Sequence, residues 1–209
     1  MKKIVLFFVV MANIGFAQKN FSKLEKEFKE IKLPYETTKD YYPKIGYDAL
    51  YDVEVDFEPN KNGLVSEITS NFKDNGEYYN KNSRYFSVGK FKYSNFTFIV
   101  YYIVETHHSD GHLESYYNMD MYDANGTWKN SFVIGQNHYK LNYMKDPVTA
   151  YEDITQTSIK VENRNLIIKK SMIQNNYVRT PEEMKLTKSI TTKEINTIDT
   201  QGKVTMVRQ

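Results

Sequence analysis

Cysteine is absent from the 209 residues of this chain. Without cysteine there is no disulfide bond, no thiol nucleophile and no lipid anchor on an N-terminal cysteine, so the protein is not a lipoprotein. The folded protein must therefore be held together by its core alone.

Recognisable catalytic motifs are absent as well. The sequence has no Gly-x-Ser-x-Gly nucleophile elbow, no glycine-rich phosphate loop and no His-Glu-x-x-His zinc motif. Nothing in the sequence identifies an enzyme. We therefore interpret the chain as a non-enzymatic binding or interaction protein, with a metal-dependent enzyme as the alternative.

A long apolar run occurs only at the N-terminus. Lys2 and Lys3 precede apolar residues 4–12, and small residues follow at Gly15 and Ala17. This order is typical of a secretory signal peptide, and the run is too short for a retained membrane-spanning helix. The sequence predicts cleavage after Ala17 and export to the periplasm or beyond, as a protein that is not integral to a membrane.

Charge of one sign is not in excess. The chain has 28 Lys and Arg against 26 Asp and Glu, and loss of Lys2 and Lys3 with the signal leaves equal numbers. A nucleic-acid partner is therefore not expected, because such binding needs surplus positive charge. Acidic residues nevertheless predominate from Asp40 to Asp123 and basic residues from Ser158 to Arg208. We expect the two parts to neutralise each other, with a charged partner as the alternative.

Helical periodicity is confined to one segment after the signal. An apolar stripe at helical spacing predicts a helix within residues 18–34 that packs on the rest of the domain. Ser22 and Glu25 have the spacing of a capping box, and Leu33-Pro34 is expected to end the helix. The stripe consists of Phe21, Leu24, Phe28 and Ile31.

The remainder, residues 35–209, shows the alternation of β-strands and is predicted to be a single domain. Strands are predicted over 51–58, 64–72, 158–161, 166–170, 186–198 and 203–207. The turn pattern Asp-x-(Asn/Gln)-Gly occurs at 123–126 and again at 199–202. The predicted fold is mainly β, an antiparallel meander or hairpin sheet forming a sandwich or open barrel, with a propeller-like arrangement as the alternative.

Two glycine turns set the expected register in the middle of the chain. A two-residue turn at Asp110-Gly111 pairs the flanking strands, and a second at Asn125-Gly126 adds a third strand. Both turns place the same apolar residues on one face, which a slip of one residue would destroy. The expected pairs are Val104 with Tyr117, Tyr102 with Met119, Val100 with Met121, Met119 with Phe132 and Tyr117 with Ile134, with Trp128 on the same face.

The opposite face of this meander is the predicted ligand surface. Aromatic rings interleaved with amides and acids suit a glycan or another polar ligand better than a packed core. The predicted ligand-binding residues are Tyr101, Tyr116, Asn118, Asp120 and Tyr122. The partner itself is unknown, and an envelope glycan or a protein would fit this surface.

A metal site is the second hypothesis. His107, His112 and Glu114 flank the 110–111 turn, and the expected register places His107 opposite Glu114 on the polar face. Two imidazoles and a carboxylate form a ligand set for zinc or non-haem iron. Neither this zinc site nor any other cofactor is assigned by the sequence.

Calcium is the other cation considered. Glu58, Asn60 and Asn62 precede Gly63 with the spacing of a calcium loop. Thr69 stands where the loop needs its bidentate carboxylate, and a turn followed by a strand explains the same residues.

Overall fold

The computed structural model describes residues 21–37, 83–107, 112–142, 147–181 and 183–209. These residues form a short helix α1, over 21–26, and nine strands. The strands are β1 (Tyr35–Thr37), β2 (Ser83–Tyr93), β3 (Phe96–His107), β4 (His112–Tyr122), β5 (Trp128–Asn142), β6 (Thr149–Glu162), β7 (Asn165–Arg179), β8 (Met184–Ile198) and β9 (Val204–Arg208).

All nine strands belong to one antiparallel sheet. Strands β2 to β9 are neighbours in sequence order, and β1 pairs with β6. The predicted mainly β meander is therefore confirmed. Within the described strands the sheet is not closed, because β2 and β9 lie at its two ends. The strands predicted over 51–58 and 64–72 lie outside the described residues.

The β3–β4 hairpin has the predicted faces but a register two residues away from the prediction. Tyr102 pairs with Tyr117, and His107 pairs with His112. The expected pairs of Val104 with Tyr117, Tyr102 with Met119 and Val100 with Met121 are thus wrong. A shift of two residues keeps every side chain on its face, because strand side chains alternate with a period of two.

The β4–β5 hairpin confirms the pairing of Met119 with Phe132. A bulge then sets Tyr117 opposite Gly135 instead of Ile134, and a second register shift pairs Trp128 with Tyr122. Trp128 therefore lies on the face of Tyr122, 45% exposed, and not on the apolar face as expected.

The main core lies on the predicted apolar face of β3 and β4. Fully buried side chains of these strands pack with Ile159, Leu166 and Ile168 of β6 and β7 and with Ile198 of β8. The long sheet therefore bends around the main core. The main-core residues from β3 and β4 that are fully buried are Phe98, Val100, Tyr102, Tyr117, Met119 and Met121.

A second core lies on the other face of β3. It consists of Phe28 and three buried β3 residues, with Phe21 and Leu24 packed against it. Three residues of the predicted apolar stripe, Phe21, Leu24 and Phe28, thus contact the protein's own sheet here. The β3 residues are Ile99, Tyr101 and Ile103.

The N-terminal segment passes from one face of the sheet to the other around the edge strand β2. Helix α1 ends at residue 26, well before Leu33-Pro34, and Ser22 lies inside it instead of capping it. The crossing explains this early end, because the Ile31 N–H donates to the Lys90 carbonyl over 2.8 Å. Gly89 makes room for the crossing: an added Cβ would lie 2.3 Å from the Ile31 side chain. Ile31 then packs on the main core.

The two Asp-x-(Asn/Gln)-Gly turns have the same hydrogen bonds. In each, the aspartate side chain accepts backbone N–H bonds from the residues two and four positions later, at 2.8–3.0 Å. Gly126 and Gly202 supply the positive φ, at 73° and 82°. Position 126 also lies against Phe21 of the second core, because a Cβ there would lie 2.7 Å from the Phe21 side chain.

Candidate functional site

The predicted ligand face is covered over part of its area. Tyr101 and Asp120 each keep 4% of their surface, while Tyr116, Asn118 and Tyr122 are half-buried. The expectation that Tyr101 and Asp120 are open to a ligand is therefore wrong. The physical reason is the N-terminal segment, whose Phe28 is buried in the second core with Tyr101.

Polar groups on this face bond to each other beneath that cover. The Tyr101 hydroxyl donates to Asp120 Oδ2 over 3.1 Å and accepts from Asn118 Nδ2 over 2.9 Å. Burial, and next the charge of Asp120, raise the pKa of Tyr101 well above its ordinary value. The Phe21 ring packs against the Tyr122 ring, with centroids 4.7 Å apart and planes tilted by 36°. Ligand binding by these five residues stays a prediction, and it would require the N-terminal segment to move away.

The predicted metal residues lie at the end of the β3–β4 hairpin. His107 pairs directly with His112, and Glu114 pairs with Glu105 instead of His107. The expected pairing of His107 with Glu114 is thus wrong, because the register is shifted by two residues. Direct partners share a face of the sheet, so His107, His112 and Glu114 are on one face, as predicted.

No metal site is complete among the side chains that the structure describes. Within them, no group of three or more His, Asp or Glu is placed to hold a metal ion. The side chains at positions 107, 112 and 114 are not among those described. The predicted calcium residues Glu58, Asn60, Asn62 and Gly63 lie outside the described residues.

An open groove occurs where β1 joins β6, β7 and β8. Its volume is about 470 Å³. Register places six of its polar residues on one face: Ser158 pairs with both Glu36 and Lys169, and Ser171 of β7 pairs with Gln156 and Lys193. Residues on direct cross-strand partners face the same way, so these six groups converge on the groove.

Three of the five charged residues that line the groove are accessible, and the other two, Lys170 and Glu194, pair with each other. Glu36, Lys169 and Lys193 are exposed, and the hydroxyl and amide residues between them are half-buried. The lining has three ammonium groups against two carboxylates, and hydroxyl and amide groups add both donors and acceptors. The groove is thus suited to a polar ligand that carries negative charge.

An ion-pair network around the buried Glu194 supports the sheet at the groove, and Glu194 and Lys170 both belong to the groove lining. Glu194 accepts bonds from Asn196 at 2.8 Å and Arg208 at 2.9 Å, and its other ion pair, with Lys170, is 3.0 Å long. Burial acts to raise the pKa of Glu194, but these three partners outweigh it and lower the pKa to about 2. By strand alternation these side chains lie on the face opposite Lys169 and Lys193.

The groove residues were not predicted from the sequence. The sequence feature that pointed to this region was the excess of basic residues from Ser158 to Arg208, which includes Lys169 and Lys193. Which of those lysines meet depends on β1, a three-residue strand inserted beside β6. No local pattern indicated that long-range pairing.

Comparisons with family models, with curated proteins and with solved structures find no match to this chain. Within the residues that the structure describes, no helix has both the length and the apolarity that crossing a membrane requires.

Proposed function

We propose that this chain is an exported binding protein of the cell envelope or extracellular space that takes an acidic glycan in the β1–β6–β7–β8 groove. The observation that carries the proposal is the groove itself, an open space of about 470 Å³ whose lining includes three lysines, two glutamates and neutral polar groups. Its volume lies within the range of ligand sites.

The chemistry of the lining favours a glycan over an apolar ligand. Sugar hydroxyls both donate and accept hydrogen bonds, and Ser158, Ser171 and Gln156 offer both functions. Lys169 and Lys193 stand on two adjacent strands, at register positions one row apart. They supply positive charge for a carboxylate or phosphate on the sugar.

The proposed binding surface is the groove and not the face of the sheet that carries the second core. Tyr101 and Asp120, predicted as ligand residues, bond to each other, whereas three charged residues of the groove are exposed. A preorganised sheet behind the groove, fixed by the Glu194 network, lowers the ordering cost of binding.

Calorimetric titration of residues 18–209 with polygalacturonate, and with neutral dextran of similar length, tests the glycan proposal. We expect binding of the acidic polymer only, weakening as salt is added because exposed charges are screened. The double variant Lys169→Ser, Lys193→Ser should lower the affinity at least tenfold.

The matched control is Lys185→Ser with Lys203→Ser, which removes the same charge from exposed positions outside the groove. Equal weakening by both double variants would show that only net charge matters and would refute a groove site. Absence of any binding to the acidic polymer would refute the acidic glycan.

Export has its own test. The intact mass of the protein recovered from the periplasm or medium should correspond to a chain that begins at Gln18. Recovery of the full-length chain from the cytoplasm alone would contradict the proposed location.

A further inference from the structure

We propose that the open edge of β8 binds an extended, acidic segment of another protein, which adds to the sheet as a further strand. The edge consists of residues 185–192, the part of β8 that lies beyond its pairing with β9. None of these residues lines the groove, so the inference does not depend on the proposed function.

Strand β9 covers only one end of β8. It pairs with residues 194–198, and at the next position the Lys193 N–H donates to the Gln209 carbonyl over 3.0 Å. Alternate residues of an antiparallel strand direct their N–H and C=O groups to the same side. Those groups of Ser189 and Thr191 therefore point to the side of β9, which is the last strand of the sheet among the described residues.

Side chains along this edge are open to solvent on both faces of the sheet. Seven successive residues, from Lys185 to Thr191, are exposed, including Leu186 at 49% and Ile190 at 40%. Successive side chains of a strand point to opposite faces, so an added strand would meet side chains on either face. Backbone groups directed to an open edge, beside apolar side chains, are the features that β-strand addition uses.

The charge of the edge favours an acidic partner. The sequence has three lysines and no acidic residue over 184–193, and the β7 segment that pairs with it, 171–179, has no acidic residue either. Strand β7 places a valine and an asparagine opposite Lys185 and Lys188, and Glu183 precedes the strand. Opposite charges on neighbouring strands stabilise a sheet. A strand with Glu or Asp side chains therefore fits this edge.

A second copy of this chain fits the edge less well than an acidic segment does. Two β8 edges side by side would bring lysines together, and like charges on neighbouring strands destabilise a sheet. Strand β2, at the other end of the sheet, has Arg84, Lys90 and Lys92 and no acidic residue. The N-terminal segment also bonds to β2 at Lys90. Lysines protect an edge from self-association, and the same charges attract an acidic strand.

Titration of the mature chain, residues 18–209, with a blocked peptide of sequence TEVETEVE tests the edge. We expect the amide resonances of Ser189 and Thr191 to shift, and their hydrogen exchange to slow at least tenfold at saturation. The same peptide with N-methylated backbone amides should bind at least tenfold more weakly, because it keeps the charge but cannot pair with a strand. The peptide with lysine in place of each glutamate should not bind.

Two sets of variants separate the backbone from the charge. Thr191→Pro removes the N–H on the open edge and should lower the peptide affinity at least tenfold, whereas Thr191→Ala keeps that N–H and should retain the affinity. Lys185→Ser with Lys188→Ser should lower the affinity at least fivefold. The matched control, Lys23→Ser with Lys203→Ser, removes the same charge from exposed positions elsewhere and should retain it.

Three results would overturn the proposal. The first is equal weakening by both lysine pairs, which would show that net charge alone attracts the peptide. The second is loss of binding in the groove variant Lys169→Ser, Lys193→Ser with full binding by the Lys185, Lys188 pair variant. The third is a wild type that does not bind the peptide. If thermal unfolding shows that Thr191→Pro does not fold, the lysine pairs and the N-methylated peptide decide the outcome.

Discussion

The two halves of strand β8 have opposite environments although they belong to one continuous strand. Its last residues, from Glu194 to Ile198, alternate between buried and half-buried and contribute Ile198 to the main core. Its first ten, from Met184 to Lys193, are nearly all exposed. Strand β7 shows the same contrast, since only Leu166 and Ile168, near its start, are buried.

This difference shows that strands β7 and β8 extend well beyond the core that they help to form. Pairing with β7 continues along the whole of β8, through the bulge at Asn176, well beyond the main core. Backbone hydrogen bonds and cross-strand pairs stabilise the exposed half of β8, residues 184–193. Burial stabilises the core-supported half, residues 194–198. The groove lies where the two halves meet, so residues supported by the core border residues that are exposed.

Two isoleucines on β8 measure the contrast directly and should give the largest effect. Ile198 is fully buried and Ile190 is 40% exposed. Ile198→Ala should lower the free energy of unfolding by about 2–5 kcal/mol, because it removes buried methyl groups and leaves a cavity. Ile190→Ala should cost less than about 1 kcal/mol. Urea unfolding of both variants checks this, and similar losses would break the comparison.

Acid should destabilise the core-supported half of β8, because Glu194 loses its charge when it is protonated. Its folded-state pKa of about 2 is below its ordinary value of 4.5, so the stabilisation is complete above about pH 4.5 and is lost as the pH falls toward 2. The loss should amount to at most about 3 kcal/mol. Glu194→Gln should be less stable than wild type at neutral pH and should lack this part of the acid dependence. An unchanged dependence in the variant would contradict the network's role.

The second core is tested by a smaller change, Tyr101→Phe. The substitution keeps the ring but removes the hydroxyl that donates to the buried Asp120. We expect a loss of about 1–3 kcal/mol, because a buried acceptor loses a partner. Tyr116→Phe, at a half-buried position on the same face, is the matched control with a smaller loss. Equal stability of Tyr101→Phe and wild type would favour the open ligand face predicted from the sequence.

Sequence patterns were sufficient for the faces of the meander. Period-two alternation fixed which of Tyr101 and Tyr102 meets the main core, and this assignment survived a register error of two residues. The register itself was not predicted, because His107 pairs with His112, whereas a two-residue turn at Asp110-Gly111 would not allow that pair. Trp128 was misplaced for a similar reason, because a bulge at the turn is not visible in an alternating pattern.

Long-range contacts were the larger omission. The apolar stripe of Phe21, Leu24 and Phe28 predicted packing on the sheet but not on which face, and that face was the proposed ligand surface. Nothing local shows that Gly89 lets the segment cross the edge strand, or that β1 pairs with β6 more than 100 residues away. Both features depend on three-dimensional proximity.

Amide hydrogen exchange along β8 tests the two-part sheet most directly. For amides bonded to β7, those within 194–198 should exchange at rates near the limit set by global unfolding, and those within 185–192 roughly a hundredfold faster, because few buried contacts resist local opening there. Uniform protection along the whole strand would contradict the division between a core-supported half and an exposed half.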